Sequence, residues 1–304
     1  MAFHPATDGE SAVRHMARRA SCRSFQDKPI PQDVLDLLLD AAMQAASGGN
    51  LQPWSVIVER DPQRNRALCD INGGQPFIAQ APVNLIFLWD WHRYDIYTRQ
   101  KRAPFTCYKS YMHYLIAIED IMCAAQSVET AAHLMGLGSC YVGSPNHEGL
   151  AMRDMYDLPD KTYPVLILSL GYPKNELHTM PKLDRSVMVF ESRYPALTDE
   201  QIFAAYEQKY AGRTLPLPKN EAARAEMLAS FRRALETTYS SAEVDEIVAC
   251  AEQDGFVNET QRRFGLHYHA ADMYALGGEI VEMMGQQGLF PFDAYEKKQG
   301  EKKI

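Results

Sequence analysis

Two apolar runs constrain the fold of this chain more than any other feature of its sequence. Residues 83–89 read Val-Asn-Leu-Ile-Phe-Leu-Trp, and residues 164–170 read Pro-Val-Leu-Ile-Leu-Ser-Leu. Nearly continuous apolar runs of this kind are typical of strands that are buried on both faces. The chain is therefore expected to contain a sheet whose faces are covered by other elements.

Helical patterns alternate with strand patterns through the first two thirds of the chain. Apolar side chains at helical spacing predict one helix after Pro31 and a long one from about His113 to Met135, and residues 55–60 and 139–142 predict two more strands. This alternation predicts an α+β layered fold with a central mixed sheet flanked by helices. We expect this core to span residues 12–195.

The pattern changes after Pro195. Helices are predicted at 197–210, 221–239, 242–252 and 260–286, so we expect residues 196–304 to form a helical C-terminal extension that ends in a frayed charged tail at 297–303. Within the core, residues 91–112 are aromatic and basic without a clear period, which predicts a long excursion or lid. The composition of this excursion could also suit single-stranded nucleic acid, but the acidic chain favours the wall of a pocket.

The charge and the cysteines of the chain exclude several classes of function. A formal net charge of −8 argues against nucleic acid and anionic membranes as main partners, although a local basic pocket for one phosphate remains compatible with it. The six cysteines have no metal-ligand spacing, no signal peptide is evident, and no run reaches the ~18 apolar residues of a membrane span. We expect a soluble cytoplasmic protein without a metal site, and we interpret His267, His269 and Asp272 as helix-surface residues.

A basic segment near the N-terminus could hold a phosphate group. Arg19, Ser21 and Arg23 alternate along the chain just ahead of the first predicted helix. Guanidinium groups match phosphate oxygens bidentately, and a hydroxyl can complete such a cradle. Taken alone, however, the segment is more readily interpreted as a solvated basic turn.

Three further segments could contribute to a binding site, two for a flat polar ligand and one as a second set of cations. Residues 47–54 (Ser-Gly-Gly-Asn-Leu-Gln-Pro-Trp) offer backbone N–H groups and side-chain amides, and residues 136–144 contain a second glycine-rich stretch that could approach a ring closely. Residues 171–173 (Gly-Tyr-Pro) are followed by the cations Lys182 and Arg185. Each segment is a weak signal alone, and their order along the chain is the stronger one.

Taken in order, the segments RxSxR, SGGNLQPW, GGQ, GLGSCYVG, LGYP and Pro181-Lys182 resemble the nitroreductase/flavin reductase family. The resemblance covers about residues 12–195 and is closest to the branch of oxygen-insensitive nitroreductases and NADPH–flavin reductases. Members of this family are FMN-dependent and usually homodimeric. The resemblance therefore implies flavin sites at a subunit interface, NAD(P)H as electron donor and a small-molecule acceptor.

The resemblance also implies roles for individual residues. The FMN phosphate and ribityl chain would be held by Arg19, Ser21, Arg23 and Lys182. The flavin would be contacted from the neighbouring subunit by Ser47, Gly48, Gly49 and Asn50, whereas Gln52 either contacts it or only supports the loop. The pyrimidine edge of the flavin would meet Gln75, and its N5 region would lie beside Tyr141, Gly143 and Ser144. Arg213 is a candidate for the NADPH phosphate, and a surface arginine is the equal alternative.

The chain departs from the family pattern at three short segments, and the excursion at 91–112 and the helical C-terminal third are larger departures that lie where substrate access is usually set. Ala46 replaces a proline, Ser139-Cys140 replaces a Gly-Val pair, and Met180 stands where a lysine is common. The last departure puts one phosphate contact in question, for which Arg185 could compensate.

The implied cofactor sets the implied chemistry. A flavin takes a hydride at N5 from a nicotinamide and passes the electrons on, so we expect ping-pong transfer to nitroaromatic, quinone or flavin acceptors and no catalytic acid or base in the chain. Two alternatives keep the fold: a reductive dehalogenase or dedicated biosynthetic flavin dehydrogenase, and a flavin-binding sensor.

Overall fold

The computed structural model of the chain describes residues 8–291, which form two compact units. Within these residues, the first unit comprises the chain up to Thr179 together with the segment from Glu279 to residue 291, and the second comprises Met180–Gly278. Compactness does not establish which segments fold independently, so the division into 12–195 and 196–304 stays a prediction. The predicted tail at 297–303 lies outside the described residues.

A four-stranded sheet forms the centre of the first unit. Its strands are β1 Trp54–Glu59, β2 Val83–Asp90, β3 Gly138–Val142 and β4 Thr162–Gly171, in the spatial order β1-β2-β4-β3. Every residue of the two central strands, β2 and β4, is buried, which confirms the interpretation of the two apolar runs.

The strand directions correct one part of the prediction. All three neighbouring pairs are antiparallel, so the predicted mixed sheet is wrong for these four strands. Continuous apolar runs are most typical of parallel sheets, but an antiparallel strand that is covered on both faces shows one as well, so the sequence could not decide the strand direction. Among the described residues, a parallel pairing occurs in the isolated bridge between Ser21 and Ser139.

Two polar residues interrupt the apolar runs, and each is satisfied inside the sheet. Asn84 of β2 and Ser169 of β4 lie opposite each other and are fully buried. The Ser169 hydroxyl donates to Asn84 Oδ1 over 2.6 Å, and the Asn84 amide donates to Asn65 Oδ1 and to the carbonyl of Ile78, each over 2.9 Å. Because each polar group has a partner, neither residue carries the penalty of an unsatisfied buried group.

The first unit also contains helices. They are α1 Gly9–Met16, α2 Gln32–Met43, α3 Pro62–Ile71, α4 Pro76–Gln80, α5 His92–Lys101, α6 Tyr111–Leu134 and α7 Gly149–Tyr156. The long helix α6 buries small side chains, among them Ala117, Ala124 and Ala125, and small residues allow close approach of α2 and the sheet. The predicted helices after Pro31 and around 113–135 are confirmed.

The segment at 91–112 is more ordered than predicted. It contains the helix α5 and a 3₁₀ turn at Cys107–Lys109 instead of an irregular excursion. None of the side chains of α5 is buried, so the helix has no apolar stripe by which the sequence could reveal it. Its neighbour Trp91 is fully buried and makes edge contacts with Tyr94 and Phe105, at ring-centroid distances of 5.6 and 5.7 Å.

The end of the described chain also belongs to the first unit. The carbonyl of Gln287 accepts from the backbone N–H of Lys161 over 2.6 Å, and the N–H of Phe290 donates to the carbonyl of Tyr108 over 2.8 Å. Leu289 is fully buried in the same apolar cluster as the central strands. The core of this unit therefore includes residues far beyond 195.

The second unit is mainly helical. It contains α8 Asp199–Tyr210, α9 Glu221–Leu235, α10 Ser241–Asp254, α11 Glu259–Arg262 and the start of α12 Met273–Gln286, with an antiparallel pair of short strands, β5 Thr214–Pro216 and β6 Phe256–Asn258. The predicted single helix at 260–286 is wrong: a π-helical turn at Arg263–His267 and a non-helical stretch separate α11 from α12. A Cβ on Gly265 would lie 2.5 Å from the ring of Phe231, so a side chain is excluded inside this turn.

In the part of the chain that the structure describes, no helix combines the length and the apolar character needed to cross a membrane.

Candidate functional site

The predicted phosphate-binding segment lies along the edge of the sheet. Ser21 bridges to Ser139 of β3, the N–H of Cys22 donates to the carbonyl of Ser139 over 2.8 Å, and Phe25 bridges to Pro173. These pairings bring the RxSxR segment beside the strand of the GLGSCYVG segment, although more than a hundred residues separate them in the sequence. Two of the predicted site segments are therefore neighbours.

Arg19 is held by a buried carboxylate that the sequence analysis did not identify. Its Nε donates to Glu129 Oε1 over 2.5 Å, and the hydroxyl of Ser139 donates to the same oxygen over 3.1 Å. The other oxygen of Glu129 accepts from the amide of Gln126 over 2.7 Å. Glu129 is only 2% exposed and lies between the buried residues Val128 and Ala132 of α6. A charged residue on the buried face of a predicted helix was therefore the sequence signal that could have identified it.

The other two residues of the segment have different surroundings. Ser21 is half-buried, whereas Arg23 is exposed and its guanidinium carbon lies 5.9 Å from the centroid of the Phe77 ring. Within residues 8–291, Arg23 forms no ion pair, and its charge is therefore available to a ligand. Arg18, to which no role was assigned, is exposed as well.

A second buried carboxylate holds the loop that follows α2. Asp120 of α6 accepts from the hydroxyl of Ser47 over 2.6 Å and from the N–H of Gly48 over 2.9 Å. The hydroxyl oxygen of Ser47 in turn accepts from the N–H of Gln52 over 2.7 Å, and the Gln52 amide donates to the carbonyl of Met43 over 3.2 Å. One carboxylate thus fixes the loop to α6.

The backbone of this loop requires its unusual sequence. Gly49, Asn50 and Gln52 all have positive φ, at 59°, 55° and 48°. Glycine and asparagine tolerate that region best, which accounts for the first two residues. A Cβ on Gly48 would lie 2.7 Å from Cγ2 of Ile116, so this glycine is required for close approach to α6. Gly48, Gly49 and Asn50 are all exposed, where a ligand or a second chain can reach them.

Gln75 and Ser144 meet at a third residue that was not predicted, Asn72. The Gln75 amide donates to the carbonyl of Asn72 over 3.3 Å, and the Ser144 hydroxyl donates to its Oδ1 over 2.9 Å. Asn72 is fully buried, so it links the end of α3 to the turn after β3. Nearby Gly143 is exposed, with open space where a Cβ would point.

Tyr141 completes the network around Glu129. Its hydroxyl donates to Gln126 Oε1 over 3.4 Å. Burial raises the pKa of Tyr141 above its usual range, and the charge of Glu129 acts in the same direction, so the phenol stays protonated. A cavity of about 370 Å³ is bounded by Arg19, Tyr141, Gln126 and Glu129, among others. The structure therefore places two of the predicted cofactor residues, Arg19 and Tyr141, at one cavity.

The remaining two predicted residues belong to the second unit. Lys182 is exposed, and Arg213 is half-buried, with its Nη2 3.6 Å from the sulfur of Met180. Arg213 lines a cavity of about 980 Å³ whose wall includes the aromatic residues Phe203, Tyr206, Tyr210 and Phe264.

The interpretation of His267, His269 and Asp272 as helix-surface residues is wrong for His269, which is buried and lies outside the helices. Nε2 of His269 lies 2.8 Å from the carbonyl of Ser230, and Asp272 pairs with Arg233 over 2.9 Å. Across residues 8–291, no group of three or more His, Cys, Asp or Glu side chains is arranged to hold a metal ion.

Comparison with known proteins gives a consistent result. A sequence profile described as "Nitroreductase family" matches residues 16–172. The chain is 26% identical over 191 residues to a protein of Bacillus subtilis named "FMN reductase (NADPH)", an alignment that covers 62% of this chain and 77% of that protein. It is 28% identical over 191 residues to the "Oxygen-insensitive NADPH nitroreductase" of Salmonella typhimurium, covering 63% of this chain and 77% of the relative.

A solved structure extends the similarity of fold to most of the chain. This structure, of a protein from Bacteroides fragilis, superimposes with a TM-score of 0.70 at 24% sequence identity, covering 91% of this chain and 99% of the other. At this identity the likeness shows the fold alone, and it confirms the predicted α+β class.

Proposed function

Because the chain belongs to the nitroreductase family, we propose that it is an FMN-dependent oxidoreductase that accepts electrons from NAD(P)H and passes them to nitroaromatic, quinone or flavin acceptors. The single observation on which the site rests is the bridge between Ser21 and Ser139. Through it, the RxSxR segment lies beside the start of β3, so its cations and the GLGSCYVG segment are close enough to serve one phosphorylated flat ring.

The chemistry of the donor set fits FMN. Arg23 offers an unpaired guanidinium to the phosphate, and the Nη1 and Nη2 atoms of Arg19 make no hydrogen bond with the described residues. Planar guanidinium groups bind phosphate oxygens bidentately. The exposed glycines Gly48 and Gly49 and the open side of Gly143 present backbone without a side chain of their own, which suits close approach of a flat ring.

In this proposal the chain binds and orients, and FMN when bound supplies the hydride chemistry. Arg19, Ser21 and Arg23 hold the phosphate and ribityl chain, and the phosphate role of Lys182 stays a prediction from the resemblance. Gln75 presents its amide to the pyrimidine edge, and its bond to Asn72 limits its orientation. The phenol of Tyr141 is a neutral hydrogen-bond donor, and burial raises its pKa further above neutral pH, so its side chain adds no negative charge beside the ring.

We assign Arg213 to the phosphate of NADPH. Its guanidinium has a methionine sulfur as its hydrogen-bond partner, and a sulfur is a weak acceptor that a phosphate could replace. The aromatic wall of the neighbouring cavity, which includes Phe203 and Tyr206, suits a flat ring system.

We also propose that the protein is a homodimer, with Ser47, Gly48, Gly49 and Asn50 contacting the flavin of the neighbouring subunit. Support comes from α2 and α6, on which large apolar side chains are exposed: Leu37, Met43, Leu115, Met122 and Leu134. Exposed apolar surface of this kind is typical of an interface between proteins. A cytoplasmic location is proposed in addition, and the six cysteines, all free, are compatible with it.

The test of the function is anaerobic reduction of the FMN-loaded protein in a stopped-flow instrument with NADPH and NADH, followed by a panel of nitro, quinone, flavin and halogenated acceptors. Rapid bleaching of the flavin and reoxidation by the first three classes is the expected result. Reoxidation by halogenated compounds alone would replace the proposal with a dehalogenase, and flavin that resists both nicotinamides would replace it with a sensor.

A further inference from the structure

We propose that Glu129 is a positioning residue that sets the guanidinium of Arg19 for the cofactor phosphate. The inference rests on the proposed function, because it concerns how this chain would hold FMN. It adds a residue that neither the resemblance nor the sequence pattern assigned to the site.

The first step is the atom through which Arg19 is held. Glu129 accepts from Nε, not from the terminal nitrogens, and none of the described residues accepts from Nη1 or Nη2. Bidentate recognition of a phosphate uses two N–H groups of one guanidinium plane. A carboxylate at Nε therefore fixes the guanidinium plane and leaves the N–H groups of Nη1 and Nη2 for the ligand.

The second step is the rigidity of the carboxylate itself. Glu129 is 2% exposed, and both of its oxygens accept from further groups, Ser139 on β3 and Gln126 on α6. The sheet and the long helix therefore fix the position of the Arg19 side chain through this carboxylate. An arginine that is a third exposed would otherwise lose side-chain freedom when the ligand binds, which weakens association.

The third step is the direction in which removal of Glu129 should change the affinity for FMN. A carboxylate near a phosphate also repels it, so removal of Glu129 could in principle strengthen binding. Arg19 neutralises that charge directly, and Ser139 and Gln126 donate to it as well, which reduces the repulsion felt by a ligand. We therefore expect the loss of orientation to outweigh the loss of repulsion.

The experiment measures the dissociation constants of FMN and of riboflavin by titration of flavin fluorescence. The two ligands differ by the phosphate. The variants are Glu129→Leu, Glu129→Gln and Arg19→Ala, with Glu119→Gln as the control because Glu119 is an exposed carboxylate on the same helix. For Glu129→Leu, FMN binding should weaken about three- to tenfold, the cost of immobilising one long side chain, while riboflavin binding changes less than about twofold. Glu129→Gln, which retains an acceptor oxygen, should restore part of the loss, and Glu119→Gln should have no effect.

The coupling of FMN affinity between Glu129 and Arg19 distinguishes a positioning role of Glu129 from a merely structural one. In the Arg19→Ala background, Glu129→Leu should cause no further loss of FMN affinity. Equal weakening of FMN and riboflavin, or strengthened FMN binding in either Glu129 variant, would overturn the inference. If Glu129→Leu does not fold, Glu129→Gln with the same two ligands decides between these results.

Failure of the proposed function gives a different result. A wild-type protein that does not bind FMN contradicts the function as well as the inference. A wild-type protein that binds FMN, with an affinity that Arg19→Ala does not change, leaves the function in place and overturns the inference alone.

Discussion

Ser47 donates its hydroxyl hydrogen bond to the buried carboxylate of Asp120 over 2.6 Å, although the two residues are 73 positions apart in the sequence. Asp120 also accepts from the N–H of Gly48, so one side chain of α6 fixes the shape of the loop at 47–52. The proposed flavin-binding loop is therefore held by contacts with the helix on which it lies.

Asp120→Ala should destabilise the protein and loosen this loop. Removing the carboxylate leaves the Ser47 hydroxyl and the Gly48 N–H without their acceptor, which costs roughly 1–3 kcal/mol in the free energy of unfolding. Urea unfolding measures the loss, with Asp40→Ala as the control because Asp40 is an exposed aspartate on α2. Equal stability of the two variants would show that Asp120 does not hold the loop.

Gly48→Ala tests the close approach of the loop to α6. A Cβ at this position would lie 2.7 Å from Ile116 Cγ2, so either the loop or the helix must move. We expect a loss of about 1–3 kcal/mol in the free energy of unfolding, as for other overpacked sites. Gly143→Ala is the matched control: its φ is negative and nothing lies within 4 Å of an added Cβ, so its stability should remain close to that of the wild type.

Arg23→Ala should weaken FMN binding by about 1.5–3 kcal/mol, the range of a hydrogen bond to a charged group. Because Arg23 is exposed and forms no ion pair within the described part of the chain, the free energy of unfolding should not change. Fluorescence titration with FMN is the measurement, and Arg18→Ala, an exposed arginine of the same segment, is the control. Unchanged FMN occupancy in Arg23→Ala would exclude its role at the phosphate.

Arg213→Ala should raise KM for NADPH without raising KM for NADH, since the two donors differ by one phosphate. An increase of about tenfold, equivalent to about 1.4 kcal/mol, is expected for the loss of one such contact. Steady-state kinetics with both donors gives the ratio of the two KM values. The control is Arg193→Ala, which should leave this ratio unchanged because Arg193 is an exposed arginine of the same unit. A parallel rise in both KM values would count against the assignment.

The second unit should respond to acid through Glu259. A hydrogen bond from Arg262, together with the charges of Arg262 and Arg263, lowers the pKa of Glu259 to about 2 from its ordinary value of 4.5. A carboxyl group whose pKa is depressed on folding contributes stability above its unfolded pKa and loses it as the pH falls toward the folded value. The difference in unfolding free energy between the wild type and Glu259→Gln should therefore be constant near neutral pH and shrink from about pH 4.5 downward. A difference that does not depend on pH would contradict this account.

Much of the fold was predictable because its strongest elements are periodic or continuously apolar. The strands β2 and β4 and the helices α2 and α6 bury whole faces, and those faces are visible in the sequence. The helix α5 has no buried side chain, and β5 and β6 have three residues each, so neither kind of element leaves a pattern. The sequence did not decide strand direction either, because strands of either direction can be buried on both faces.

The candidate site was predictable only in its outer residues. Local segments such as RxSxR and SGGN can be recognised by their order, but the residues that hold them are single buried polar groups on distant elements. Glu129 lies 110 positions from Arg19, and Asn72 lies 72 positions from Ser144. No local spacing relates such pairs, so only the folded chain reveals them.

The most direct test of the proposed function is anaerobic titration of the FMN-loaded protein with NADPH, followed by addition of a nitroaromatic or a quinone. The flavin absorbance should bleach with one equivalent of NADPH per bound FMN and return when the acceptor is added. A protein that takes up no FMN, or bound flavin that neither NADPH nor NADH reduces, would contradict the account.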